Sequence, residues 1–184
     1  GCAAVVVGGA AVGTAMVATD RRTSGTQLED QNIELKALTR ISETVGDRGH
    51  VNVTSYNRMV LLTGEVASEA DRTALEQGIG RIEGVRSIVN ELAVMGSSSF
   101  TARSNDTVLT SMVKASFVDA KDLQSNAFKV ITERATVYLM GRVTEREAAR
   151  AAELARGVSG VQKVVRVFDI LTDAELAALG GTKT

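Results

Sequence analysis

The strongest constraint on this chain is an internal repeat. Residues 51–66, VNVTSYNRMVLLTGEV, match residues 128–143, FKVITERATVYLMGRV, at a constant offset of 77 residues. One extra residue near Ala67 lowers the offset to 76, and Gly84-Val85 then lies over Gly160-Val161. Self-similarity at a fixed offset indicates a duplicated structural unit. We therefore expect two similar small domains of about 65 residues each rather than one large fold.

The repeat also predicts where the domains begin and end. The stretch MGSSSFTARSN between the copies is rich in Gly and Ser, which is typical of a linker. At the C-terminus, Thr172 and Glu175 match a capping box, which indicates a short helix. The predicted segments are a flexible tail at 1–29, a first domain at 30–94, a linker at 95–104, a second domain at 105–171, and a C-terminal tail or short helix at 172–184.

Each copy shows the same order of hydrophobic patterns. Alternating apolar residues predict a hairpin that turns at Tyr56-Asn57-Arg58, and its twin turns at residues 133–135. Helical spacing follows from Ser68 to Gly84 and from Thr144 to Gly160, where each glycine suits a C-cap. An amphipathic segment precedes each hairpin and an apolar strand ends each copy. The predicted class is α+β, with a three-stranded mixed sheet packed against two helices in the order αββαβ.

The N-terminus indicates an anchor. Cys2 heads a run without charges through Thr19, as expected if a secretory signal peptide is cut before a cysteine that then becomes lipidated. Acyl chains would hold the protein on a bilayer, since each buried CH₂ contributes ~0.8 kcal/mol. Two alternatives are a free thiol in a tail and a short membrane span that uses Gly9 and Gly13 for helix packing.

Composition argues against several function classes. The chain has 21 basic and 22 acidic side chains and six aromatic residues, which disfavours nucleic-acid binding. His50 is its single histidine, so we predict a surface or capping role for it and no metal site or cofactor. No catalytic residue is predicted, because the serines of the linker lack a base partner. Four glycines are assigned structural roles in close backbone packing or capping: Gly64, Gly84, Gly141 and Gly160.

The predicted helix, the hairpin closing in Leu-x-Gly-x-Val at residues 62–66 and 139–143, and the later Gly-Val pair resemble the BON domain, present twice. Cys2 with its Ala/Val/Gly-rich tail makes the chain similar to the tandem-BON outer-membrane lipoproteins of Gram-negative bacteria. The resemblance implies a non-enzymatic protein that is lipid-anchored in the outer membrane and faces the periplasm. It further implies binding to anionic phospholipid such as phosphatidylglycerol, concentration at the division site and support of envelope integrity. Regulators of division or of the peptidoglycan amidases are the protein partners that it implies.

Charge favours the second copy as the one that meets an anionic membrane. Residues 30–94 carry 7 basic and 10 acidic side chains, whereas residues 105–171 carry 10 basic and 8 acidic ones. A basic side chain close to an anionic bilayer contributes ~1 kcal/mol before screening. The second domain is therefore the better candidate for lipid contact.

The first helices of the two copies sharpen this prediction. At an offset of 76, the apolar stripe Ile33, Ala37, Ile41 lies over Leu109, Val113, Phe117 and is assigned to the core. The next stripe is Asn32, Lys36, Thr39 in the first copy and Val108, Met112, Ala115 in the second, so we expect only the second helix to have apolar side chains to spare. The predicted phospholipid-binding residues are Val108, Leu109, Met112, Ala115 and Lys114.

Other uses of this strip remain open: packing against the first copy or the tail, or self-association. The resembled proteins carry a Trp at the position of Val108, and its absence here removes an interfacial anchor. A second function is also open, in which the domains act as an adaptor that recruits division or peptidoglycan-remodelling proteins through exposed strand edges.

Overall fold

A computed structural model describes residues 20–180 of the chain. Cys2 and the uncharged run that follows it, on which the anchor prediction rests, lie outside the described residues. The helices are α1 (Ser24–Thr44), α2 (Glu69–Gly80), α3 (Phe100–Asp119), α4 (Glu145–Arg156) and α5 (Asp173–Gly180), with a 3₁₀ turn at Ser125–Ala127. The strands are β1 (His50–Tyr56), β2 (Met59–Val66), β3 (Ser87–Asn90), β4 (Ala93–Val94), β5 (Lys129–Glu133), β6 (Thr136–Thr144) and β7 (Lys163–Leu171).

The first repeat has the predicted mixed sheet. Strands β1 and β2 form an antiparallel hairpin, and β3 and β4 both pair with β2 in parallel. Leu92, which separates β3 from β4, is buried, so the two short strands act as one interrupted third strand. The core is formed by aliphatic side chains from α1, α2 and the central strand: Ile33, Ala37, Ile41, Val60, Leu62, Val66, Leu75 and Ile79.

The second repeat has the same topology in the same register. Its strands lie in the order β5-β6-β7. Met59 pairs with Ser87 in the first sheet, and Thr136 pairs with Lys163 in the second. The repeat offsets match Met59 to Thr136 and Ser87 to Lys163, so the two pairs are equivalent. The α+β class with two copies of a three-stranded mixed sheet and helices is therefore confirmed.

The predicted helix starts that carry side-chain caps are confirmed. Ser68 caps α2 and accepts a hydrogen bond from the Asp71 backbone, and Thr144 caps α4 in a capping box with Glu147. At the C-terminus, the Thr172 backbone donates to Glu175 and the Glu175 backbone donates to the Thr172 hydroxyl, so α5 begins as expected. Each of these caps satisfies backbone N–H groups that a helix leaves without partners in its first turn.

Other helix ends differ from the prediction. Helix α1 begins at Ser24, inside the predicted tail, and α3 begins at Phe100, inside the predicted linker. Ser99, one of the serines that suggested a linker, caps the helix instead, because its hydroxyl accepts a hydrogen bond from the Ala102 backbone at 3.1 Å.

The predicted glycine caps are wrong. Helices α2 and α4 end at Gly80 and Arg156, ahead of Gly84 and Gly160. Both glycines lie at positive φ in the turns that follow, at 93° and 98°. They let the chain turn into the last strand of each repeat, and they do not close the helices.

Gly64 and Gly141 hold equivalent places in the central strands. A Cβ at Gly64 would collide with the carbonyl oxygen of His50, and one at Gly141 would collide with that of Ala127. Both also have positive φ, at 115° and 159°. Close backbone approach therefore excludes any side chain at these two positions.

The described chain forms two compact units that do not coincide with the two repeats. The first unit contains residues 25–108 together with 132–135, which form the turn of the second hairpin. The second unit contains residues 20–24, 109–131 and 136–180. Within residues 20–180, none of the helices has both the length and the apolar character that a membrane span requires.

Candidate functional site

Helix α3 carries an exposed apolar strip on its outer side. Val108 and Met112 are 55% and 42% exposed, and Ala115 is exposed on the next turn. The spacing of i, i+4, i+7 places these three side chains on one face of the helix. Lys114 is also exposed and lies next to Ala115 in the sequence. The strip thus combines apolar side chains with a neighbouring positive charge.

One of the five predicted contact residues does not belong to this surface. Leu109 is only 3% exposed, and the nearest atom to a Cβ at Gly160 would be its Cδ2. It lies on the buried stripe with Val113 and Phe117, because a residue one position from Val108 is rotated by about 100° around the helix axis. Its assignment to phospholipid contact is therefore corrected to a core role.

Two exposed apolar side chains of α3 were absent from the sequence prediction. Phe100 is 85% exposed at the start of the helix, and Val118 is 68% exposed at its end. Phe100 was assigned to the linker, so its helical position went unrecognised. Val118 follows Ala115 by three residues, and the same helical spacing could have identified it.

A cavity of about 260 Å³ lies beside the C-terminal half of α3. The rings of Phe117 and Phe128 line it, with their centroids 5.1 Å apart, and Val118 and Val130 add aliphatic surface. Polar residues also line the cavity: Lys114 together with Ser125 and Asn126 of the 3₁₀ turn. The lining therefore combines apolar residues with polar residues and a lysine.

The first helix also exposes apolar side chains, contrary to the prediction that only the second helix has them to spare. Leu28, Leu35 and Leu38 of α1 are all more than half exposed. Their equivalents at an offset of 76 are Ser104, Ser111 and Lys114. The prediction failed because it considered only the stripe of Asn32, Lys36 and Thr39. The exposed leucines lie on a different stripe of the same helix.

Two aspartates, which the sequence analysis did not single out, hold the hairpin turns at matching positions. Asp30 accepts hydrogen bonds from the backbones of Asn57 and Arg58, each at 2.8 Å. Asp106 accepts them from Arg134 and Ala135, each at 2.9 Å. These four turn residues have positive φ without being glycine, so each carboxylate stabilises a conformation that its turn would otherwise resist. The offset of 76 between the aspartates could have revealed them.

The segment ahead of α1 is bound to the second unit through Arg21. Its guanidinium pairs with both carboxylate oxygens of Glu147 at 2.8 Å and donates to the Arg142 carbonyl at 2.9 Å. Burial alone would raise the pKa of Glu147, but hydrogen bonds from Arg21 and Thr144 outweigh it and hold this pKa below its ordinary value. Residues 20–24 thus have a defined place, whereas the sequence predicted a flexible tail through residue 29.

His50, for which a surface or capping role was predicted, is largely buried beside acidic side chains. Its ring is 17% exposed and lies against two buried carboxylates, with Nδ1 3.2 Å from Glu65 Oε1 and 3.9 Å from Glu133 Oε2. All three residues belong to the first unit. Their contact could not be read from the sequence, because Glu133 lies in the other repeat, 83 positions after His50.

The two carboxylates differ in acidity. Burial raises the pKa of Glu133 above its ordinary value, and the neighbouring Glu65 adds to the rise. Burial acts on Glu65 in the same direction, but hydrogen bonds from Ser98 and the Arg134 guanidinium outweigh it, so its pKa is lowered. Arg134 also donates to the Gly64 carbonyl at 3.1 Å, which fixes it beside Glu65.

Comparison with known proteins gives the family. The BON domain model matches residues 29–96 and 105–172. The chain is 42% identical over 177 residues to the outer membrane lipoprotein DolP of Haemophilus influenzae, covering 93% of this chain and 89% of that protein. It is 30% identical over 152 residues to the 21 kDa hemolysin of Actinobacillus pleuropneumoniae, covering 82% of this chain and 78% of that protein.

Among solved structures, CdsD of the type III secretion system of Chlamydia trachomatis covers 78% of this chain and 96% of its own at 10% identity, with a TM-score of 0.32. That likeness is too low to support a conclusion. The two family matches and the DolP relationship span nearly the whole chain. The chain therefore belongs to the BON-domain family, as a tandem-BON protein of the outer-membrane lipoprotein type that DolP represents.

Proposed function

We propose that this protein is anchored by lipid on Cys2 and uses helix α3 of its second BON domain to contact anionic phospholipid. The observation that supports this most directly is the exposed strip of Val108, Met112 and Ala115 next to Lys114. Apolar side chains on one face of a helix can enter the boundary between headgroups and acyl chains, while a neighbouring ammonium group attracts anionic lipid.

The cavity beside α3 supports the same function. Lys114 belongs both to the exposed surface of α3 and to the cavity lining. A phosphate group held by Lys114 could also accept hydrogen bonds from Ser125 and Asn126, while the wall of Phe117 and Phe128 contacts apolar parts of the lipid. The proposal thus assigns headgroup contact to the polar side of the cavity.

The anchor and the helix surface would reinforce each other. Cys2 and Arg21 are 19 positions apart, and Arg21 is bound to the unit that contains Met112 and Lys114 of α3. A short connection raises the effective concentration of α3 at the membrane that holds the anchor. Weak contact by α3 would then suffice for selection among lipids, and the protein would concentrate where anionic lipid is enriched, including the division site.

Vesicle flotation tests the lipid contact. The full chain with Cys2→Ser is compared on phosphatidylcholine vesicles with and without phosphatidylglycerol, beside the variants Met112→Glu and Leu35→Glu. Both variants place a negative charge at an exposed apolar position, but Leu35 lies on α1. We expect the parent and Leu35→Glu to float with anionic vesicles, and Met112→Glu to bind about tenfold more weakly. Equal losses in both variants would contradict lipid contact through α3.

A second candidate is the adaptor function, favoured by the exposed leucines of α1. Leu28, Leu35 and Leu38 form an apolar face that a partner helix could cover. The same two variants distinguish the functions in cells. If lipid contact directs the protein to the septum, Met112→Glu gives diffuse envelope staining and Leu35→Glu keeps the septal position. If protein recruitment directs it, we expect the reverse.

A further inference from the structure

Three side chains of types that commonly ligate metals lie together in the first unit. One ligand atom from each of His50, Glu65 and Glu133 lies within 4.8 Å of the other two. Glu65 and Glu133 have side chains that are 0% and 3% exposed, so neither carboxylate is a solvated surface charge. Burying two neighbouring carboxylates is costly unless positive charge compensates them.

The surrounding hydrogen bonds hold the carboxylates in a fixed orientation. Glu133 Oε1 accepts hydrogen bonds from Asn52 Nδ2 and from Thr63 Oγ1, the latter at 3.2 Å. Glu65 Oε2 accepts one from Arg134. The other oxygen of each carboxylate therefore faces His50 Nδ1, at 3.2 Å for Glu65 and 3.9 Å for Glu133. Outer hydrogen bonds of this kind orient the ligands in protein metal sites.

The distances suit a small divalent ion. Zinc lies about 2.0–2.2 Å from nitrogen and carboxylate oxygen, so its tetrahedral ligands are about 3.3 Å apart. The spacing of His50 Nδ1 and Glu65 Oε1 is already of this size, and a movement of about 0.6 Å would bring Glu133 to it. Glu65 Oε1 also accepts a hydrogen bond from the Ser98 backbone, and its second lone pair stays available for a metal.

The donor set and charge also favour a transition metal. An imidazole nitrogen with two carboxylates suits zinc or its neighbours in the first row, whereas calcium and magnesium take oxygen ligands. The Arg134 guanidinium pairs with Glu65, and a further positive charge would balance Glu133.

We propose that His50, Glu65 and Glu133 form a binding site for a divalent transition-metal ion of the zinc type. The ion ties the turn at residues 132–135 to strands β1 and β2 within the same unit. Metal bound only by the folded chain stabilises it.

The test uses the full chain with Cys2→Ser, purified without a histidine tag, so that neither the thiol nor a tag binds metal. Zinc chloride is titrated while the ring signals of His50 are followed by NMR, and cobalt chloride is titrated while visible absorption is recorded. His50 is the chain's single histidine, so its ring signals need no assignment. We expect saturation at one equivalent, a shift centred on Nδ1, and cobalt bands typical of nitrogen and oxygen ligands.

Substitutions identify the ligands. Glu133→Gln should weaken zinc binding about 100-fold or more, and Asn52→Ala about 10- to 100-fold through loss of orientation. Glu69→Gln, at an exposed carboxylate of α2, is the matched control and should bind as the parent does. Circular dichroism and urea midpoints confirm that each variant folds. If Glu133→Gln does not fold, the zinc affinity of Asn52→Ala is compared with that of Glu69→Gln to test the site. Absence of saturable binding in the folded parent, undiminished binding in Glu133→Gln, or His50 signals that move with pH alone would overturn the site.

Discussion

The first helix of each repeat buries the same three apolar positions but exposes different side chains. Ile33 and Ala37 of α1 correspond to Leu109 and Val113 of α3, and all four are buried. On the outer side, α1 exposes leucines, whereas α3 exposes Val108 and Met112 beside Lys114. The comparison shows that the duplicated scaffold is retained where side chains face the sheet and has diverged where they face outward.

The turns lead to the same conclusion. Asp30 and Asp106 bind the two hairpin turns with the same backbone hydrogen bonds. The turn residues themselves differ, with Asn57-Arg58 in one and Arg134-Ala135 in the other. Arg134 of the second turn also forms an ion pair with Glu65. The first turn has no arginine at the equivalent position, so it cannot form this ion pair.

Glycine substitutions give the largest expected effect and test whether the two scaffolds are equivalent. Gly64→Ala and Gly141→Ala each force a side chain against a backbone carbonyl at positive φ. We expect each to lower the free energy of unfolding by about 4 kcal/mol in urea denaturation. Gly78→Ala, in a helix with open space around it, should instead stabilise by about 0.5–1 kcal/mol. If one of these two alanine substitutions leaves the free energy of unfolding unchanged, the two central strands are not equivalent.

The second test concerns two arginines that pair with carboxylates at equivalent positions of α2 and α4. Arg21 pairs with buried Glu147, whereas Arg48 is 59% exposed and pairs with Asp71 at 3.3 Å. Arg21→Ala leaves a buried carboxylate unpaired and should cost about 3 kcal/mol of unfolding free energy. Arg48→Ala should cost about 0.5 kcal/mol or less. Equal costs in urea titrations would show that Arg21 does not fix its segment to the second unit.

The turn aspartates should have similar effects in the two repeats. Asp30→Ala and Asp106→Ala each leave two turn N–H groups without their carboxylate, and we expect a cost of about 2 kcal/mol in each case. Thermal unfolding measures both. A loss of stability in one variant and none in the other would mean that the equivalent hydrogen bonds do not stabilise the two turns equally.

The smallest expected effect is on acid stability. The pKa of Glu147 is lowered in the folded protein, so its ionised form adds stability above the ordinary glutamate value near 4.5. That contribution is lost as pH falls from this value through the lower folded pKa. Glu147→Gln should therefore lower stability at neutral pH and flatten its decline below about pH 4.5. Urea midpoints that fall in parallel for parent and variant would contradict this.

The sequence was sufficient for the fold because the repeat, the alternating strands and the caps are local signals. Ser68, Thr144 and Thr172 identified the starts of three helices from neighbouring residues alone. The start of α3 was missed because Ser99 is equally common in linkers and in caps, and only its hydrogen bond to the Ala102 backbone distinguishes the two roles.

The candidate sites were less predictable because they depend on contacts between distant residues. The exposed strip of α3 followed from helical spacing, but Leu109 was included in error because it adjoins Val108 in the sequence while facing the core. Arg21 with Glu147, and His50 with Glu133, are pairs separated by more than 80 positions. Neither pair has a spacing motif that would have marked it.

Tryptophan fluorescence tests lipid contact through α3 most directly, since the chain has no Trp of its own. Val108→Trp and Leu35→Trp, each in the full chain with Cys2→Ser, place a single reporter on α3 or on α1. With vesicles containing phosphatidylglycerol, we expect a blue shift and quenching by brominated lipid for Val108→Trp, and neither for Leu35→Trp. An unchanged spectrum for Val108→Trp, or the same response at both positions, would contradict the proposed lipid surface.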